Sequence, residues 1–323
     1  MSFWNLLADH YYIHADHEIF YDGYKGYGQD NSLYFITTME NREIFTMEQI
    51  ILSHFLKENG YNYMALPIQN KEKEWFTTWE NDRYIVSSVE ELQSESLLTP
   101  GEALAYFHEI GITYPYQPQE ISSYGKWKDL WIYKLTAYEE RAKQEQDNFR
   151  SHFNEYIWDI FPYIIGLTEN AIQYVGETNV ERRYHEADQG TITFKRYTGQ
   201  LEEPILWSHD LFYDHPARDI AEAIRLMYLN EAPNDEIVRF LKDYEAVRPL
   251  SIFSWRLIYA RLIFPAHLFD ALENLYKNPE DAAFEKFVHL TEGQDRYEDK
   301  LRHFFDYSSI NAYQLDIPML NWL

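Results

Sequence analysis

Two short stretches of this 323-residue chain hold imidazoles and carboxylates that could move a proton or grip a cation. In Glu181-Arg182-Arg183-Tyr184-His185-Glu186-Ala187-Asp188, both His185 and Asp188 are proton acceptors near neutral pH. In Ser208-His209-Asp210, Asp210 offers oxygens to a hard cation such as Mg²⁺. Just beyond, Tyr213-Asp214-His215-Pro216-Ala217-Arg218-Asp219-Ile220-Ala221-Glu222 sets an acid, Asp219, near the start of an expected helix. There its charge complements the helix dipole, and its oxygens can pair loop N–H groups, so Asp219 reads as a structural brace. Twelve histidines raise the question of a metal, but no pair has zinc-type His-x-x-x-His or His-Glu-x-x-His spacing within an expected helix. His14 and His17, with Asp16, read as surface residues, and no metal site is expected. Gly23-Tyr24-Lys25-Gly26-Tyr27-Gly28 has the glycine spacing of a phosphate-cradling loop reversed, with tyrosines crowding the backbone, and reads as a plain turn.

The elements that would position these residues change character along the chain. Up to about residue 90 the pattern is strands with one helix. Leu33–Thr37, Trp75–Trp79 and Tyr84–Val86 are rich in strand formers, with Asn81-Asp82 as a turn. Thr46–Gly60 carries apolar residues at 47, 50, 51 and 55, with 52 and 56 offset from them, and a stop signal at Asn59-Gly60. After residue 90 helices dominate. Thr99-Pro100-Gly101-Glu102 is a cap followed by proline at the first helical position. Helices are expected over 127–150, 153–175, 216–229, 236–244, 251–264, 265–276 and 281–307, with a loop and short hairpin over 180–197. The fold class is therefore α+β and bilobal: residues 1–90 form a small N-lobe of antiparallel sheet with one helix, and 91–323 a larger helical C-lobe. No repeat and no flexible linker interrupts it.

Hydrophobic residues at 46% rule out a disordered chain, and no apolar run of 18 or more residues is present, so no membrane span is expected. Met1-Ser2-Phe3-Trp4-Asn5 lacks a basic then apolar leader, so no secretory signal is expected. Absence of cysteine excludes disulfides, thiolate metal sites and a cysteine nucleophile, and suits synthesis in a reducing cytoplasm. Acids outnumber bases 53 to 28, giving −25. That field repels nucleic acid and anionic membranes, and makes a nucleoside triphosphate awkward unless Mg²⁺ or a local basic patch compensates. Twenty-eight tyrosines and nine tryptophans suit half-wet surfaces as well as cores, because each ring is apolar with one polar edge.

The run Tyr213–Glu222 resembles the segment that follows the metal-binding Asp-Phe-Asp turn in small-molecule kinases of the aminoglycoside phosphotransferase and choline kinase type. Together with Gly101–His108, Tyr124-Gly125-Lys126-Trp127 and Tyr259–Pro265, it makes the whole chain similar to the YutH-type spore-coat-associated proteins, relatives of the CotS group with a kinase-like fold. The resemblance implies a role in the spore coat among other coat proteins, with synthesis in the mother-cell cytoplasm. Phosphoryl transfer in that fold needs a strand-three lysine, an aspartate that orients the nucleophile, and metal ligands. On the family's His-Gly-Asp-x-x-x-x-Asn pattern, Arg183 falls on the catalytic aspartate and Asp188 on the metal-binding asparagine. Trp207 falls on the other metal ligand, and Thr37 or Thr38 on the lysine. Arginine stays protonated and cannot act as a base, and an indole offers no oxygen. The expectation is a catalytically inactive kinase-like protein with no cofactor, its interlobe cleft filled by aromatic rings such as Trp207. The alternative is an active phosphotransferase using ATP and Mg²⁺ on an amino alcohol or sugar-like substrate, with His185 or Asp188 as base and Asp210 as metal ligand. A third reading keeps the cleft as a pocket that binds a small-molecule ligand without turnover.

Overall fold

The computed structural model describes residues 3–39, 42–93, 97–144, 151–181, 185–308 and 310–320, leaving aside the side chains of residues 151, 152 and 181. Two compact units form: Met1–Ser122 with Thr191–Asp214, and Ser123–Gly190 with His215–Leu323.

In the first unit, α1 (Phe3–Tyr11) precedes β1 (His17–Tyr21), β2 (Tyr24–Gln29) and β3 (Ser32–Thr38). Then come α2 (Glu43–Glu58), β4 (Met64–Pro67), β5 (Thr77–Trp79), β6 (Asp82–Val89) and α3 (Pro100–Gly111). The returning segment adds β7 (Thr191–Phe194), β8 (Leu206–Trp207) and β9 (Leu211–Asp214). The main sheet runs β1-β2-β3-β6-β4-β8, with β5 on β6, while β7 and β9 form a separate ribbon. All its pairings are antiparallel except β4 with β8, where Ala65 lies opposite Trp207 in a parallel register. The β1–β2 and β5–β6 connections are two-residue turns with both central residues at positive φ: Asp22 at 47° and Gly23 at 77°, then Glu80 at 49° and Asn81 at 76°. That backbone twist matches the twist of the strands it joins. One apolar cluster of the unit holds Leu6, Leu7, Ile13, Tyr27 and Val86, and another Phe35, Ala65, Val89, Ile205 and Trp207.

Two expectations for this region need correction. The N-terminal stretch contains a helix besides α2, since α1 buries Leu6 and Leu7 completely. Nine residues give barely two turns of periodicity, too little to stand out from sequence. The buried face of α2 also differs in part from the expected one. Ile50, Leu52 and Leu56 point inward as expected, but Ile51 is 46% exposed and the polar Gln49 and Ser53 join the buried face. Burying Gln49 and Ser53 is possible because both are bonded: the Gln49 amide donates to the carbonyls of His209 and Leu211, and Ser53 Oγ to that of Ile50.

The second unit is helical: α4 (Trp127–Gln144), α5 (Ser151–Glu181), α6 (Ala217–Leu229), α7 (Asn234–Val247), α8 (Ile252–Ile263), α9 (Ala266–Lys277), α10 (Asp281–Glu292), α11 (Gln294–Arg302) and α12 (Phe304–Tyr307). The single helix expected over 281–307 is thus three, broken at Gly293 and His303. The central helix is α8, buried from Phe253 to Ile263. Aromatic rings pack around it: Trp131 stacks on Phe264 at 4.4 Å, and Tyr259 contacts Phe304 and Phe305. Among the buried tyrosines, Tyr174 donates to the Pro318 carbonyl and Tyr297 to that of Leu262. Glu222 of α6 joins Arg225, 2.6 Å away, and Arg261 of α8, 2.9 Å away, in a fully buried ionic cluster. Among the described residues, no helix is long and apolar enough to cross a membrane.

Candidate functional site

In the second unit a short 3₁₀ turn, Glu186–Asp188, places Asp188 in the interior with 2% of its surface exposed. Its Oδ1 accepts from Ser251 Oγ at 2.6 Å, Ser254 Oγ at 2.7 Å and His215 Nε2 at 3.2 Å, and its Oδ2 accepts from the His185 N–H at 2.7 Å. Three of these donors converge on Oδ1 and one reaches Oδ2, so both oxygens are held by the protein. Burial alone would push the Asp188 carboxyl up, but the bonds from His215, Ser251 and Ser254 outweigh it and hold the group below the usual aspartate range. The turn is also tied through its backbone: Tyr124 donates to the Asp188 carbonyl at 2.6 Å and Arg248 to that of Ala187 at 2.8 Å.

The trio of Asp188, His215 and serines has the residue types of a nucleophilic triad but the wrong polarity. Both serine hydroxyls donate to the carboxylate. The His215 Nδ1 accepts from the Ala217 N–H at 3.0 Å, which leaves Nε2 as the protonated nitrogen donating to Asp188. Both ring nitrogens are therefore occupied. Ser251 earns its place as the cap of α8, accepting from the Ser254 N–H at 2.9 Å. His185 is exposed, and its Nδ1 accepts from the Ala187 N–H, capping the same turn. Arg183 lies outside the described residues. Asp219 is fully buried in the first turn of α6.

In the first unit, Trp207 lies in β8 and is 5% exposed. Its indole packs on Tyr24 at 4.5 Å and edge-on to Phe35 at 5.0 Å, as part of the apolar cluster of the sheet. His209 and Asp210 follow in a half-buried 3₁₀ turn, with His209 Nε2 at 2.9 Å from the Tyr24 hydroxyl and 4.0 Å from Asp210 Oδ1. Burial pushes the His209 imidazole down and the Asp210 carboxyl up, so both lean towards their neutral forms. Thr37 and Thr38 close β3, where they face a cavity also lined by Lys195 from the residue after β7. Glu48 of α2 spends its carboxylate on the backbone N–H groups of Gln119, Glu120 and Ile121 at 2.6, 2.9 and 3.0 Å.

The remaining candidates resolve simply. Gly26 and Gly28 lie inside β2, and a Cβ on them would collide with Phe35 and with the His17 ring. The glycine run is thus a hairpin turn at Gly23 plus two close approaches between strands. His10 and His14 have four-residue spacing, but α1 ends at Tyr11 and puts only His10 on the helix. Among the described residues, no group of three or more His, Asp or Glu side chains could hold a metal ion. Sequence reasoning had assigned no role to Lys195, Ser251, Ser254 or His215, whose neighbours all come from distant parts of the chain.

Comparison with known proteins places this geometry. A family model described as "Spore coat putative kinase YutH" matches residues 5–304. The chain belongs to this family. The endospore coat-associated protein YutH of Bacillus subtilis is 32% identical over 312 residues, covering 93% of this chain and 91% of the relative. Spore coat protein S of the same organism is 26% identical over 215 residues, 60% of this chain and 59% of that one. Among solved structures, spectinomycin phosphotransferase bound to AMP superposes with a TM-score of 0.62 at 14% identity, covering 91% of this chain and 96% of that chain. An aminoglycoside phosphotransferase from Alicyclobacillus acidocaldarius gives 0.59 at 13%, covering 91% and 93%. A microcompartment-associated aminopropanol kinase gives 0.56 at 11%, covering 95% and 98%. The fold is that of the aminoglycoside phosphotransferase and choline kinase group, as expected from the Tyr213–Glu222 run.

Proposed function

We propose that this chain is a kinase-fold component of the spore coat or of its assembly, acting through contacts with other coat proteins and not through phosphoryl transfer. Coat association rests on the family and on its B. subtilis relative, named as an endospore coat-associated protein. The observation that carries the non-catalytic reading is the state of Asp188, which is buried with four protein donors on its two oxygens. Trp207 supports it, because an indole built into the sheet core stands where the fold would put a metal-binding aspartate. The short turn around Asp188 then serves as an internal anchor, binding helix α8 and the start of α6 to one carboxylate.

The test is metal dependence. A ligand that binds the folded state raises its melting temperature by mass action. Adding Mg²⁺ to ATP should bring no stabilisation beyond that of ATP with a chelator, and γ-labelled ATP should transfer no label to amino alcohols, aminoglycosides or sugars. A Mg²⁺-dependent rise of several degrees, abolished in Asp188→Asn or Asp210→Asn, would overturn this reading in favour of an active phosphotransferase.

A further inference from the structure

Helices α4 and α5 of the second unit pack together and leave a groove of about 770 Å³ along one flank. From α4 it takes Lys128, Ile132, Leu135 and Thr136, and from α5 positions 169, 172, 173, 176, 177 and 180. Both sets repeat at steps of three or four, so each helix turns one stripe towards the same space. The α4 stripe covers about 12 Å and the α5 stripe about 16 Å, the length of two to three turns of a third helix. The groove is apolar where water reaches it: Ile132 is 43% exposed and Val180, in the last turn of α5, 80%. Leu135 is buried and Ile172 half-buried beside them.

Two glycines interrupt the interior of α5, and each weakens a helix relative to alanine. Among the described residues, a Cβ on Gly166 would meet nothing within 4 Å, and one on Gly176 would touch only the Lys128 side chain, from 3.4 Å. Neither glycine is therefore demanded by packing within the described chain. Gly176 lies in the groove, and Gly166 stands seven residues before Gln173, on the same flank of α5. Bare backbone at such a contact lets a neighbouring helix approach closely.

Charge narrows the choice of occupant. The α5 edge is acidic, with Glu169 and Glu177 exposed and about two turns apart, while the α4 edge carries Lys128. The whole chain stands at −25, so a second copy is repelled and a basic partner attracted. We propose that this groove receives an amphipathic helix of a partner protein, with apolar residues at i, i+3 or i+4 and i+7 and with lysines or arginines along the edge that meets α5. The proposal rests on the contact role given above and names the chemistry of one partner, but its test uses neither nucleotide nor metal.

Random peptides of about 16 residues, roughly four helical turns, are displayed on phage and selected on the full chain at about 150 mM salt. The selected peptides should share the helical apolar spacing and an excess of Lys and Arg, and should bind saturably in fluorescence anisotropy. Ile132→Lys should weaken that binding about tenfold or more by setting a cation against a basic helix, and Gly176→Leu should do the same by filling the groove. Tyr313→Lys, which adds the same charge outside the groove at a position 94% exposed, should change it by less than about twofold. The melting temperature of each variant shows that it is folded. Selection of acidic peptides, of peptides without helical spacing, or of none overturns the proposal, as do equal losses in the Ile132 and Tyr313 variants. So does dimerisation in sedimentation that Ile132→Lys abolishes, which assigns the groove to a second copy. A chain that transfers label from ATP yet selects such peptides loses the non-catalytic reading and keeps this one, whereas a chain inert towards ATP that selects none loses this one alone.

Discussion

Asp188 illustrates how one residue type supports opposite roles depending on what surrounds it. In sequence it is a carboxylate beside a histidine, fit to bind metal or accept a proton. In the structure it accepts from two hydroxyls, an imidazole and an amide, and those partners lie 63, 66, 27 and 3 residues away along the chain. No local pattern announces such a set. Because the folded carboxyl is held below the unfolded value of about 3.8, the charged form stabilises the fold. That contribution is complete above about pH 4–5 and is lost as pH falls through the lower folded value. Asp188→Ala should cost about 3 kcal/mol at neutral pH by stranding buried donors. In urea titrations across pH, the gap between wild type and variant should be constant above about pH 5 and narrow in acid. A gap independent of pH would show that the carboxylate charge is not what stabilises the turn.

Elements were legible where local chemistry decides them and obscure where packing does. The start of α3 is written in Thr99-Pro100-Gly101-Glu102, and the structure has the reciprocal cap: Thr99 Oγ1 accepts from the Glu102 N–H and Glu102 accepts from the Thr99 N–H. The existence of α2 was equally clear, but its inward face was not. Gln49 and Ser53 point into the unit because carbonyls from the distant 209–211 segment and from α2 itself receive them. The Tyr259–Pro265 run, one of the segments carrying the family likeness, acquires a physical role through Arg261. Its guanidinium lies over Trp127, 4.9 Å from the ring, and pairs with Glu222. Removing one member of a buried ionic cluster leaves an uncompensated charge. Glu222→Gln should therefore destabilise the α6–α8 pair by about 3–5 kcal/mol, read as a fall in denaturant midpoint with little change in slope. Loss of less than about 1 kcal/mol would mean that water already reaches Arg225 and Arg261.

For the molecule as a whole, the excess of acid is a stability term as well as a guide to partners. At −25 the folded chain repels itself, and screening falls to about 8 Å at physiological salt. The melting temperature should rise by a few degrees as NaCl goes from about 10 to about 150 mM, most steeply at the low end. A fall over that range would mean that favourable ion pairs outweigh the repulsion. The tyrosine count is similarly two-sided. Tyr27, Tyr244, Tyr259 and Tyr297 are core residues, whereas Tyr12, Tyr116, Tyr133 and Tyr313 are 66–94% exposed and available to a partner.

The sequence by itself determined the fold class, the family, the capped start of α3 and the acidic field. Those properties follow from residue type and short spacing, which need no knowledge of what lies across the core. Only the tertiary structure decided that Asp188 is buried among four donors, that Trp207 belongs to the sheet core, and that Lys195 and Arg42 both lie against Phe45. Each depends on groups brought together from distant parts of the chain, where donor count, burial and the local field, not residue identity, set what a side chain can do.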